Sequence, residues 1–236
     1  MDNFRVATIE ERDFYYKTLY PFQDFVFSLL KDEPDIYLTG GTALARFHFQ
    51  HRLSEDIDLF IKVDPEDSLE VIESDKRTDI YARDLAGKLS REFDIVNERY
   101  GDIYSRFFVQ ADTFAMKIDF VREYCHIGET IPQPSGVKIN NLEDMGASKI
   151  AAFEDRAESK DIIDLFYLSQ QLPLSQLFEL ADLKRVPVPY ENLLTINTQG
   201  ISGVALLEQE IEREAVVAFI DLLKYETEEQ VKKKRN

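Results

Sequence analysis

Asp56 and Asp58 stand two residues apart in the run Asp56-Ile57-Asp58-Leu59-Phe60-Ile61. An extended chain sends both carboxylates to one face and Ile57, Leu59 and Ile61 to the other. Two like charges side by side repel, and a divalent cation relieves the repulsion. Magnesium, or manganese in its place, fits this oxygen chemistry and commonly joins one or two carboxylates to substrate phosphates, whereas zinc would want His or Cys. Upstream, Gly40 and Gly41 end the apolar run Ile36-Tyr37-Leu38, and Thr42-Ala43-Leu44-Ala45 reads as a first helical turn. The unpaired N–H groups of such a turn, together with the helix dipole, bind phosphate oxygens. Arg52 and Ser54 precede the acids directly. The order strand, Gly-Gly turn, helix, acidic strand predicts a nucleotide site. There the glycines let the chain approach the phosphates and the aspartates hold the bridging metal.

Further candidates lie downstream. In Phe114–Val121 the alternation puts Lys117 and Asp119 on one face and Met116, Ile118 and Phe120 on the other. Asp119 is therefore either a third metal-binding carboxylate or an exposed acid paired with Lys117 or Arg122. On a helix from Leu142 to Arg156, Lys149 falls between Leu142, Met145 and Phe153, with Arg156 one step round the same face. A lysine serving only solubility belongs opposite, with Asp144, Ser148 and Asp155. Lys149 and Arg156 are thus expected to look inward at something acidic, either nucleotide phosphates or aspartates. Asp161 and Asp164 follow at i,i+3 on the next helix, where a pair between Lys160 and Asp164 is the purely structural reading. His48 and His51 share that spacing without a third ligand, which argues against a metal site. Cys125 is alone and reads as a small buried thiol.

These residues need a scaffold, and the chain of 236 residues with 44% apolar composition is long enough to bury a core. A capping box at Thr8–Glu11 opens a helix carrying Phe14, Leu19, Phe22, Phe25, Val26 and Leu29, expected to kink at Pro21. Residues 78–92 read as a helix, and 94–99, 103–110 and 113–121 as a strand meander. A short strand is expected at 137–140, and the pattern is helical from Asn141 on, with loops near Pro173 and Pro187–Pro189. The expected division is 1–140, a core with an N-terminal helix, and 141–236, a helical domain. No apolar run approaches the roughly 18 residues of a membrane span, and the N-terminus lacks a signal-peptide core, so the expected compartment is the cytoplasm. The net charge of −17 argues against broad nonspecific nucleic-acid affinity without excluding a local basic groove. The basic run Lys232–Arg235 is read as a disordered, solvated tail.

Three stretches carry a resemblance: GGTAL at Gly40–Leu44, RLSEDIDLF at Arg52–Phe60, and KIAAFEDRAESKDIIDLF at Lys149–Phe166. Across about residues 36–170 the chain resembles the nucleotidyltransferase superfamily, most closely the AbiEii/AbiGii toxin family of type IV toxin–antitoxin, abortive-infection systems. The resemblance implies an α+β fold, a polymerase-β-like core of mixed sheet and helices followed by a helical domain, with the active site between them. It implies Asp56 and Asp58 as metal-binding acids, and Gly41, Thr42 and Ser54 as phosphate contacts. Lys149 would steady the triphosphate, and Asp161 or Asp164 would be the remaining acid. The implied reaction is in-line attack of an acceptor hydroxyl on the α-phosphate of a nucleoside triphosphate, with two magnesium ions in the site and pyrophosphate leaving. Asp119 or Asp164 would complete the metal shell or take the hydroxyl proton. The implied acceptor is RNA, the 3′ end of tRNA in the first place, and the implied partner is a separately encoded antitoxin. The alternatives are transfer to a small molecule or protein, or a noncatalytic nucleotide- or partner-binding module.

Overall fold

The computed structural model describes residues 3–184, 190–197 and 201–235; the loop expected at Pro187–Pro189 lies outside them. The chain begins with β1 (Phe4–Val6), α1 (Ile9–Phe14), a π-helical turn (Tyr15–Leu19) and α2 (Tyr20–Ser28). Next come β2 (Ile36–Thr39), α3 (Gly40–Ala43), a second π-helical turn (Leu44–Phe49) and β3 (Ile57–Lys62). They are followed by α4 (Leu69–Ser74), α5 (Thr78–Leu89), β4 (Asp94–Arg99), β5 (Tyr104–Gln110) and β6 (Ala115–Glu123). Two short strands, β7 (Ile131–Pro132) and β8 (Lys138–Ile139), precede α6 (Leu142–Arg156), α7 (Ser159–Ser169) and α8 (Leu174–Leu183). The last elements are α9 (Glu191–Thr195), β9 (Ala205–Leu207) and α10 (Arg213–Arg235).

The chain divides into two compact units. A sheet unit comprises Ile9–Ala43 and Ser54–Asn140. A helical unit gathers the N-terminal residues through Thr8, the segment Leu44–Leu53, and the chain from Asn141 onward. A single division near residue 140 therefore needs amending, because two earlier segments fold with the later one.

The sheet unit is built on one mixed sheet in the order β4-β5-β6-β3-β2-β8-β7. β3 runs antiparallel to β2 and parallel to β6, with Asp58 opposite Asp119 in the register. The period-2 pattern is realised: Ile57, Leu59 and Ile61 are buried, as are Met116, Ile118 and Phe120 on β6. At the N-terminal helix the expectation of a kink at Pro21 is replaced by a π-helical turn ahead of it. Pro21 follows that turn inside a continuous helical stretch, and the widened turn stands where the proline has no N–H to give to the preceding turn. Phe22 on α2 packs edge-on against Phe93 and, tilted, against Phe114.

In the helical unit, Asn141 caps α6 by accepting a bond from the Asp144 N–H at 2.9 Å. Asp144 was expected on the solvent side of that helix; it is instead fully buried and bonds Lys184 at 2.8 and 2.9 Å. A helical wheel shows the apolar stripe, not a buried cation arriving from α8. The basic run expected as a disordered tail forms the last turns of α10, with Lys232 on Glu229 at 2.7 Å and Lys234 on Asp182 at 2.6 Å. A small parallel pair, β1 with β9, was not foreseen. Among the described residues no helix is long and apolar enough to cross a membrane.

Candidate functional site

The candidate residues fall into two groups, one in each unit. In the sheet unit, Gly40 ends β2 with φ of +68°, a left-handed conformation that glycine adopts without strain. A Cβ at this position would fall on the Asp58 carboxylate, so the glycine is required for the close approach of the turn to an acid as well as for the turn itself. Thr42 donates to the Asp56 carbonyl, and its hydroxyl bonds that of Ser54 at 2.9 Å. Both side chains are buried. They fasten the Gly-Gly turn to the segment leading into β3.

Asp56 and Asp58 are half-buried at the start of β3. Lys117 Nζ bonds Asp56 at 2.9 Å and lies 3.5 Å from Asp119. Burial would push the Lys117 ammonium down, but the bond to Asp56 and the charges of Asp56, Asp58 and Asp119 outweigh it and raise its pKa. Asp119 is buried, and both its oxygens are engaged by Arg106 in a bidentate pair at 2.6 and 2.8 Å, with Tyr104 Oη a third donor at 3.2 Å. Asp119 is thus buried rather than exposed, and its cationic partners are Arg106 and, at 3.5 Å, the expected Lys117. Arg122, its suggested partner, bonds the carbonyls of Lys76 and Asp102. Among the described residues no cluster of three or more His, Cys, Asp or Glu is arranged to hold a metal ion. The donor chemistry that fits a hard divalent cation is the pair Asp56 and Asp58.

The helical unit holds a buried ion cluster. Asp164 accepts from His51 Nε2 and Arg52 Nε at 2.8 Å, from the Arg52 terminal nitrogen at 2.9 Å and from Lys149 at 2.6 Å. Asp161 accepts from Lys149 at 3.0 Å and from two Arg156 nitrogens at 2.7 Å. Both carboxylates have no solvent exposure. Burial alone would raise the Asp164 pKa; the charges of Arg52 and Lys149 and the bonds from Arg52 and His51 overcome it and hold the group well below the usual carboxylate range. Asp161 is likewise held low, burial being outweighed by Lys149 and Arg156. Lys149 is buried and kept charged by Asp164 and Asp161 against the effect of burial. It faces acids, as the helical wheel implied, and the acids are these two.

A carboxylate with both oxygens bonded to cations and kept ionised is a poor proton acceptor, which argues against Asp164 as the general base. Arg52, expected at phosphate, is buried on Asp164. Lys160 pairs with Glu158 at 3.1 Å rather than with Asp164. Arg156 is the half-exposed cation of the cluster, at 43% of its side chain, and also lies 4.0 Å from Glu158. His48 takes no part in the cluster, whereas His51 does so as a hydrogen-bond donor, not as a metal ligand. Its adjacency to Arg52 was the signal available in the sequence. Arg106 gave no local signal, because only the strand register pairs it with Asp119.

His51 carries a pH prediction. Burial lowers its pKa against the opposing pull of Asp164, so the folded ring is neutral, donating from Nε2, while its buried Nδ1 has no hydrogen-bond partner. A folded-state pKa below the unfolded value of about 6.5 means that this contribution to stability is complete above that pH and is lost as the pH falls towards the lowered value. Stability should decline below about pH 6.5, with at most ~1.4 kcal/mol per pH unit coming from this group. His51→Gln, which keeps a donor near Nε2 and removes the titration, should flatten the slope in urea unfolding at pH 5, 6 and 7. An unchanged slope in the variant would exclude His51 as its source.

A family model described as nucleotidyl transferase AbiEii toxin, type IV TA system, matches residues 24–232. The solved structure of JHP933 from Helicobacter pylori resembles this chain with a TM-score of 0.54 at 18% identity, over 98% of each chain. MenT4, a nucleotidyltransferase toxin from Mycobacterium tuberculosis H37Rv, gives a TM-score of 0.60 at 16% identity, over 89% of this chain and 82% of that one. No curated protein sequence matches. At these identities the two structures speak for the fold, a nucleotidyltransferase sheet with helices.

Proposed function

The chain belongs to the AbiEii family of nucleotidyltransferase toxins of type IV toxin–antitoxin systems, and from that premise we propose that it joins a nucleoside monophosphate to an RNA 3′-hydroxyl, with tRNA as the acceptor. A nucleotidyltransferase of this family takes a nucleoside triphosphate and a divalent metal, and its toxin class brings an antitoxin with it. The observation that carries the proposal is the half-buried pair Asp56 and Asp58 beside the Gly40 turn, with Lys117 against it. The RNA acceptor rests on the resemblance of the GGTAL and RLSEDIDLF motifs.

In the reaction the acceptor hydroxyl oxygen bonds the α-phosphorus and gives up its proton to water as the bond to pyrophosphate breaks. Asp56 and Asp58 are the residues that would hold magnesium, whose chemistry is to offset phosphate charge and lower the pKa of a bound oxygen. The backbone N–H groups of Gly41 and Thr42 lie in the first turn of α3 and would be the donors to phosphate oxygens. Thr42 and Ser54 hold that turn in place through their own bond. Within the helical unit, Arg52, Lys149 and Arg156 keep Asp161 and Asp164 charged and fixed.

The test is incubation of the protein with magnesium, each of the four α-labelled nucleoside triphosphates and total bacterial tRNA. Label on RNA supports the proposal and names the nucleotide. Label on protein only, or on a small molecule only, refutes the RNA acceptor, and label nowhere refutes transfer to the acceptors supplied.

A further inference from the structure

Lys117 has no assigned part in the chemistry above, yet it lies directly against the acidic pair of the sheet unit. The parallel register pairs Ile57 with Ile118 and Asp58 with Asp119, so Asp56 stands one step earlier, beside Lys117. The ammonium bonds Asp56 at 2.9 Å and is 3.5 Å from Asp119. Its side chain is about three-quarters buried, at 23% exposure, with a carboxylate of similar accessibility as its partner. Arg106 already neutralises Asp119 through two bonds, which directs the Lys117 charge to Asp56 and Asp58. Met116 and Ile118 are buried on the opposite face of β6 and fix the strand from which the lysine projects.

We propose that Lys117 is the resident counter-cation of the Asp56/Asp58 pair, opposing a divalent ion that arrives alone and transferring to phosphate oxygens when the ion arrives with a nucleotide. This rests on the reading of Asp56 and Asp58 as the metal-holding pair. The physical reason is charge balance. An ammonium and a divalent cation at the same two carboxylates repel each other, whereas a triphosphate brings enough negative charge to accept both. Metal and nucleotide then bind with positive coupling, and the coupling is reciprocal. A site of this kind remains weakly loaded by free metal and fills when substrate is present.

The test measures binding, not turnover. Mn²⁺ binding is followed by electron paramagnetic resonance for wild type, Lys117→Met, Lys117→Gln, Lys117→Arg and Asp56→Asn. In parallel, each of the four α,β-methylene nucleoside triphosphates is titrated in saturating Mg²⁺. Lys117→Met and Lys117→Gln should bind Mn²⁺ alone at least tenfold more tightly than wild type and the nucleotide analogues at least tenfold more weakly. Lys117→Arg, which keeps the charge, should follow wild type in both. Mn²⁺ affinity unchanged in both neutral variants overturns the inference, as does loss of metal affinity in them with thermal unfolding unaltered. If both neutral variants fail to fold, Lys117 is a structural residue and the inference fails. Wild-type Mn²⁺ binding that Asp56→Asn leaves intact, even with an analogue present, would instead overturn the metal-site reading on which the inference depends.

Discussion

Asp56→Asn should lower nucleotidyl transfer by about three orders of magnitude, the scale on which removing one electrostatic element of an active site acts, while the protein stays folded. Asparagine has nearly the same shape and leaves an oxygen for Lys117, so what is lost is the charge that holds a cation at phosphate. The cost to stability should stay within about 1 kcal/mol, as for pairs with substantial solvent contact. Asp56 is half-buried, and the burial that holds β3 in the sheet comes from Ile57, Leu59 and Ile61 on the other face. The check is a time course of label transfer beside a thermal melt of the same preparation. A folded variant within tenfold of wild-type rate would remove Asp56 from the chemistry.

Asp164→Ala should behave in the opposite way, failing first as a folded protein. Its carboxylate accepts four bonds from His51, Arg52 and Lys149 with no exposure to solvent. Removing it leaves two buried cations without their shared anion, a change that typically costs about 3–5 kcal/mol. That is a large part of the roughly 5–15 kcal/mol by which ordinary domains are stable. Asp164→Asn keeps the volume and loses the charge, and should fall between wild type and alanine. The measurement is the urea midpoint of each variant, with transfer assayed on the folded fraction. An Asp164→Asn protein of wild-type stability and altered pH–rate profile would restore the general-base role that the geometry argues against. The same pairings set the acid limit. Asp161 and Asp164 have lowered folded pKa values, so their stabilisation is present above the unfolded value of about 3.8 and is lost as the pH falls through the folded ones.

These two aspartates show where local pattern stops. The Asp56–Asp58 strand, the Gly-Gly turn, the meander from Asp94 to Glu123 and the inward face of α6 at Lys149 were all legible, because each is encoded by neighbours two to four residues apart. An alternating run has one buried face whatever it packs against, and a lysine inside an apolar helical stripe must find an anion.

Which anion it finds is another matter. Asp164 is 112 residues from Arg52 and 113 from His51, and no local period connects them. Arg106 meets Asp119 through the register of two antiparallel strands, and Asp144 meets Lys184 across two helices. The segment Leu44–Leu53 joins the unit that begins again at Asn141, and β1 pairs with β9 some two hundred residues later. The sequence by itself determined the central strands, the inward face of α6 at Lys149 and the placing of Asp56 and Asp58 on one strand face, since backbone geometry makes those choices residue by residue. Only the tertiary structure decided which acids remain half-exposed for chemistry and which are saturated by buried cations, because burial removes water as the alternative partner and leaves each charge to whichever opposite charge the packing brings within reach.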